Sequence, residues 1–316
     1  MPARPDAPEA PEPSVVLVPG PWTHREVGAN GQRFHIASAG DPDAPLVLLL
    51  HGFPEFWWSW RHQLTALGAA GYHAVAADLR GYGASDKPPR GYDGPTLGAD
   101  VAGLVRALGG SPAHLVGHDW GGVLGWWVAA THPEVVRSLT AVSSPHPLRL
   151  RAALTSRGGQ ARHSAYLARF QLPRADAWLA DDGAAEVGQL LARWGGPGFP
   201  DAETDERCRQ AMLVPGAAHC ALEYYRWAVR SQLRPSGQRF ARRAARPVEA
   251  PVLQLHGALD GCFLPQTAQG SGRWVRGPYT WRLLDGLGHF PHEEDPALVS
   301  GVLLDWLTAL PAGPKP

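Results

Sequence analysis
The chain has 316 residues, 44% of them hydrophobic, which suits one large core, or one core plus an inserted lid, better than two independent domains. Lysine plus arginine and aspartate plus glutamate number 29 each, so no net field draws the chain to nucleic acid or to an anionic membrane as a partner. Three cysteines, Cys208, Cys220 and Cys262, are odd in number and unpatterned in spacing, which argues against a disulfide framework or a zinc knuckle. No apolar run approaches the roughly 20 residues that span a bilayer, and no basic-then-apolar segment opens the chain, so a cytoplasmic protein is expected.

Residues 1–13, MPARPDAPEAPEP, are too poor in large apolar side chains to pack and read as a disordered leader. Residues 22–36 suggest a hairpin around Asn30-Gly31, a strong tight-turn pair. PLVLLL, residues 45–50, is a continuous apolar strand of the kind buried on both faces of a parallel sheet, and it ends in HGFPE. A helix over 58–67, a strand over 73–77 and a helix over 96–108 follow. LVGHDWGG, residues 115–122, reads as a strand entering a sharp turn, and residues 123–130 continue as a buried helix. The next strand, 138–142, runs into Ser143-Ser144-Pro145-His146-Pro147. There the rhythm breaks, because residues 148–235 are helical in pattern and rich in arginine and tryptophan, without a strand. Strands over 251–255 and 279–284 resume the alternation, and a helix over 296–310 closes it. Strands alternating with helices imply a mostly parallel sheet flanked by helices. The core then comprises 14–147 and 236–316, with 148–235 as an inserted helical cap.

Catalytic groups of open α/β sheets gather at the carboxyl ends of strands, and three candidates stand there: Asp119, Asp260 and His289. The frame from Gly117 to Gly121 resembles the nucleophile elbow of the α/β-hydrolases, with a carboxylate in place of serine or cysteine. A carboxylate attacking an sp³ carbon forms an alkyl ester, which needs an activated water for release. His289 is the candidate base and Asp260 its orienting acid. Phe53 and Trp120 stand where backbone N–H groups would form an oxyanion hole.

HGFPEFWWSW, DLRGYGASDKP, GHDWGG, HGALD and GHFPHEEDP together resemble the epoxide hydrolases of the α/β-hydrolase superfamily, and the likeness runs from about Trp22 onward. The resemblance implies an α/β-hydrolase fold in which Asp119 opens a small hydrophobic epoxide and water completes a vicinal diol, without cofactor or metal. It also implies cap tyrosines that hydrogen-bond the epoxide oxygen. Tyr225, just before Arg226, matches one of them. The other usually precedes a Phe-Gln pair, yet Phe170-Gln171 is preceded by Arg169, and Tyr166 lies one helical turn earlier. Three outcomes stay open: Tyr225 acts alone, or Tyr166 or Arg169 supplies the second donor. A homodimer is compatible with the pattern.

Asp119 could merely cap the following helix, Tyr225 could be a packing residue beside Leu222 and Val229, and Asp285 competes with Asp260. His51 and His118 read as loop-ordering groups, and the acids of His292-Glu293-Glu294-Asp295 as helix N-terminal charges before Pro296, not as metal ligands. A haloalkane-type dehalogenase would use the same aspartate, and Trp120 could donate to halide, but Phe53 has no side-chain donor. A ligand-binding relative without turnover is the third reading.

Overall fold
Leu46–Leu50 is buried at every residue, and its side chains alternate between two apolar layers: Leu46, Leu48 and Leu50 enter one, Val47 and Leu49 the other. A period of two with both faces apolar is what a strand inside a covered sheet requires. In the computed structural model, which describes residues 11–109 and 112–311, this strand is β3 of eight. The others are β1 Thr23–Ala29, β2 Gln32–Ala39, β4 His73–Ala77, β5 Ala113–His118, β6 Val136–Val142, β7 Val252–Gly257 and β8 Tyr279–Leu284. Their spatial order is β1-β2-β4-β3-β5-β6-β7-β8. Strand β2 pairs antiparallel with both neighbours, and all other pairs are parallel. The hairpin turns at Asn30 and Gly31, whose φ values of 46° and 73° give the primed turn that matches strand twist.

Helices α1 Arg61–Ala69, α2 Gly94–Ala107 and α3 Trp120–Thr131 fill the early connections. Between β6 and β7, which are neighbours in the sheet, run α4 Pro147–Leu154, α5 Gln160–His163, α6 Tyr166–Phe170, α7 Ala175–Trp194, α8 Ala202–Leu213, α9 Ala217–Arg230 and α10 Pro235–Arg243. Then come α11 Pro265–Gln269, α12 Pro291–Glu294 and α13 Pro296–Ala309. Helices α2 and α3 share the apolar layer of Leu48, and α1 and α13 share that of Leu49. No helix among the described residues is long and apolar enough to cross a membrane.

The helical run continues past an expected boundary. The helical insertion does not stop at Pro235: that proline opens α10 at its first turn, where the missing N–H costs nothing. Its Phe240 packs edge-on against Trp127 of α3 and Trp227 of α9, with centroids 5.2 and 5.8 Å away, so that α10 bridges the core and the insertion. Of the leader, residues 1–10 lie outside the described part. Pro13–Val16 is a 3-10 turn whose Val16 is buried and accepts the Trp57 indole N–H at 2.8 Å. Trp57, Trp58, Trp60 and Trp126 are core residues.

The elbow glycines serve close approach, not unusual dihedrals. A Cβ on Gly121 would stand 2.0 Å from the Leu50 carbonyl oxygen, and one on Gly117 would stand 2.3 Å from the Gly121 backbone. Neither neighbour is a flexible side-chain end. Gly121→Ala should therefore destabilise the fold by about 3 kcal/mol, read as a lower urea midpoint; an unchanged midpoint would show that the turn can relax.

Candidate active site
Strand β5 ends at His118 and α3 begins at Trp120, so Asp119 alone makes the turn, with φ 45° and ψ −112°. That conformation costs a non-glycine residue on the order of 1–3 kcal/mol. Three contacts hold it: Asp119 N–H donates to the Val142 carbonyl at 3.2 Å, and its own carbonyl accepts from Val123 N–H at 2.9 Å and Ser144 Oγ at 3.0 Å. The turn lifts the carboxylate into a cavity. There Oδ1 accepts the Phe53 N–H at 3.1 Å, and the Trp120 N–H also hydrogen-bonds this side chain. Phe53 reaches it because β3 and β5 are parallel neighbours. Burial raises the Asp119 carboxyl above its ordinary value, against the opposing pull of His289, His118 and the two N–H groups.

The loops after β7 and β8 lie side by side and bring Asp260 to His289. Asp260 Oδ2 accepts from His289 Nδ1 at 2.9 Å, while Oδ1 accepts the N–H groups of Cys262 and Phe263 at 2.7 and 2.8 Å. Burial would raise the Asp260 carboxyl, but His289 and these donors outweigh it and the net direction is down. Burial would likewise lower the His289 imidazole; Asp260 and Asp119 outweigh it and raise it. His289 Nε2 stands 3.9 Å from Asp119 Oδ2, too far for a direct hydrogen bond, and has no other partner. Asp285 is exposed and takes no part.

Residues beyond the sequence reading hold this loop. Glu294, expected to be a helix N-terminal acid, instead accepts the N–H groups of Gly288, Phe290 and Gly196 at 2.6, 2.9 and 3.1 Å. Only Asp295 does what was expected of that run, capping α13 through the Leu298 N–H at 2.9 Å, while Glu293 pairs with Arg61 at 2.8 Å. The Trp194 carbonyl, at the end of α7, accepts the N–H groups of His289 and Gly261 at 3.0 and 3.1 Å. His118 and His51 are loop-ordering, as expected: His118 Nε2 donates to the His289 carbonyl at 2.8 Å, and His51 Nε2 accepts the Leu79 N–H at 3.0 Å.

Glu55, His118 and His292 are buried with their ligand-type atoms within 4.8 Å of one another, the spacing of a metal site. The chemistry favours hydrogen bonding within the cluster. Glu55 Oε2 at 2.7 Å and the His289 carbonyl at 2.8 Å each engage one ring nitrogen of His118, so neither nitrogen is left for a metal. Burial opposes ionisation of Glu55, but His118 and His292 outweigh it and hold the carboxyl well below its ordinary value.

Tyr225 and Tyr166 reach the same cavity from α9 and α6, their rings 6.0 Å apart. The Tyr225 hydroxyl is buried without a partner, and burial, reinforced by the Asp119 charge, pushes it well above the usual phenol value. The Tyr166 hydroxyl lies 3.5 Å from Cys262 Sγ and is raised for the same reasons. Arg169 is exposed and stacks over Trp178 at 3.5 Å, away from the cavity. Of the open alternatives, Tyr166 is the one placed beside Tyr225. The Phe-Gln pair still ties the helices: Phe170 packs on Tyr225 at 4.9 Å, and Gln171 Nε2 donates to the Tyr225 carbonyl at 3.3 Å.

The cavity holds about 410 Å³, within the range of small-molecule sites. Asp119 and Tyr225 are buried at its inner end, Trp120, Trp127 and Phe240 form its walls, and exposed Arg151, Thr155, Val229 and Gln232 mark its mouth.

Residues 45–296 match the α/β hydrolase fold family. The AB hydrolase superfamily protein YfhM of Bacillus subtilis is 33% identical over 89% of this chain and 96% of its own length. Epoxide hydrolase A of Mycobacterium tuberculosis is 33% identical over 92% of this chain and 99% of its own. The crystal structure of Epoxide Hydrolase A from Mycobacterium thermoresistibile superimposes with a TM-score of 0.78 at 30% identity, covering 92% of this chain and all of that one. With the elbow, the sheet order and the match over most of its length, the chain belongs to the α/β-hydrolase fold family, among its epoxide hydrolases.

Proposed function
We propose that the protein converts a small hydrophobic epoxide to a vicinal diol through an ester on Asp119. Asp119 attacks an epoxide carbon, the C–O bond breaks, and the departing oxygen takes a proton from Tyr225 or Tyr166. Water, deprotonated by His289 Nε2, then adds to the ester carbonyl. The developing oxyanion sits against the Phe53 and Trp120 N–H groups; its collapse expels the alkoxide, which takes the proton held by His289, and the proton left on the Asp119 carboxyl returns to the phenolate, so that the diol is freed and carboxylate, phenol and imidazole are restored. The helical insertion acts as the cap that carries both phenols. One observation carries the reading: a buried carboxylate and two phenols face one apolar cavity, and a histidine with a free Nε2 stands 3.9 Å behind that carboxylate. An alkoxide is a poor leaving group, so a buried phenol kept protonated is the acid that ring opening needs.

Incubating His289→Gln with styrene oxide and reading the intact mass tests the reading. A stable gain of one epoxide mass, mapped to Asp119, is expected; no gain from any epoxide would refute it. One feature favours a second reading, dehalogenation: the Trp120 indole N–H lines the cavity and is unpartnered. It predicts ester formation from a bromoalkane with bromide release, and Phe53 supplies no second side-chain donor for the halide.

The raised His289 imidazole sets a pH dependence. Only neutral imidazole can take a proton from water, so ester hydrolysis fails as pH falls through the histidine's folded value. Alkylation neutralises Asp119 and removes one of the charges that raise that value. The acid-side midpoint of single-turnover hydrolysis should therefore lie below the His289 midpoint titrated by NMR in the free enzyme. Equal midpoints would mean that Asp119 does not act on the histidine.

A further inference from the structure
The zero net charge of the chain conceals an uneven distribution. Residues 148–246 hold 16 arginines against 9 acidic residues, and residues 226–246 hold seven arginines and no acid. Arg226 is buried and pairs with Glu223 at 2.9 Å. Arg230, Arg234, Arg239, Arg242, Arg243 and Arg246 are exposed, and among the described residues none of them forms an ion pair. Glu249, the next acid along the chain, is engaged by Arg276 at 3.2 Å. Five of the six flank or lie on α10, whose opposite side, through Gly237, Phe240, Ala241 and Ala244, walls the cavity.

Apolar side chains stand among these cations. Leu233, between α9 and α10, is 89% exposed, and Val229 is 39% exposed. Val229 and Gln232 belong to the cavity mouth, and Leu233 is the next residue; Arg151 is exposed on α4 at the same mouth. A leucine held in water beside unpaired guanidinium groups contributes nothing to the packing of this chain. A nucleic acid would use the arginines but not the leucine. An anionic bilayer uses both: its headgroups meet the cations and its interfacial region accepts the apolar tip.

We propose that the segment from the end of α9 through α10 is a peripheral docking surface for an anionic lipid bilayer, which seats the cavity mouth against the lipid. Docking stands on this surface alone; only its use, to admit an apolar epoxide from the bilayer, rests on the reaction proposed above. Attachment is electrostatic with a shallow apolar contact, so it is reversible and salt-sensitive.

Sedimentation of the full chain with vesicles tests this. Binding is expected to an equal mixture of phosphatidylcholine and phosphatidylserine, with little to phosphatidylcholine alone, and it should fall as salt is raised. Each arginine neutralised, as in Arg230→Gln, Arg234→Gln or Arg239→Gln, should weaken partition about fivefold. Leu233→Ser should weaken it further without changing the salt dependence. These side chains do not line the cavity, so turnover of a water-dissolved epoxide at the wild-type rate shows that the variants are folded. Equal partition to both vesicle types, or no loss in the triple variant, would overturn the proposal. Tighter binding to duplex DNA than to the mixed vesicles would reassign the surface to nucleic acid. Vesicle binding without epoxide turnover would leave docking standing and refute only the reaction.

Discussion
Tyr225→Phe together with Tyr166→Phe should lower the rate of Asp119 alkylation by an epoxide by roughly 10³-fold or more, the scale of a lost general acid. Each single variant should lose at least about tenfold, because the remaining phenol can still reach the epoxide oxygen. The physical basis is the pair's placement: both hydroxyls enter one cavity with Asp119, and both are held protonated by burial and by the carboxylate they face. The rate of adduct formation in the His289→Gln background isolates this step from hydrolysis. Arg169→Ala serves as the control, since its guanidinium lies on Trp178 outside the cavity. If Arg169→Ala slowed alkylation as much as Tyr166→Phe, the second donor would be the arginine and the assignment of Tyr166 would fail.

Asp260→Asn should leave alkylation nearly intact and slow ester hydrolysis by about 10⁴-fold, the loss seen when a triad acid is replaced by its amide. Asp260 Oδ2 accepts the His289 Nδ1 proton and thereby leaves Nε2 with its lone pair toward Asp119. An asparagine in that place can present its amide N–H instead, which favours the tautomer protonated on Nε2 and leaves no base for water. The backbone donors Cys262 and Phe263 hold Oδ1, so the replacement side chain keeps its position and the effect reports chemistry more than collapse. Rapid-quench measurement should show a burst of one alkylated enzyme per site followed by slow turnover. A loss shared equally by both steps would mean that Asp260 maintains the structure of the loop and does not tune the histidine.

The extent to which the site could be read in advance differs residue by residue. Asp119, Asp260 and His289 each follow an apolar strand within a few residues, and parallel strands deliver their carboxyl ends to one edge. Local sequence therefore carried both their identity and their convergence. The strand β3, apolar at every position, was legible for the same reason. Glu294 was visible as an acid but given the wrong partner: its three N–H donors include Gly196, 98 residues away, which no local pattern announces. Trp194 contributes a backbone carbonyl, a group present at every residue, so its type carried no signal. Pro235 was read as an end when it was a beginning, because proline suits both the stop of one helix and the first turn of the next.

What the amino-acid sequence determined by itself is the sheet, the elbow and the carboxylate that the elbow presents, since these depend on side-chain period and on the residue at a single turn. Only the tertiary structure placed Tyr166, and not Arg169, beside Tyr225. On a helix as short as Tyr166–Phe170 both lie on nearly the same face, and which one turns inward depends on what packs against it: Phe170 on Tyr225, Gln171 on the Tyr225 carbonyl, and Trp178 beneath the guanidinium. The arginine charge keeps its solvent contact and the half-buried phenol turns to the cavity, the partition that desolvation imposes once the neighbouring helices are in place.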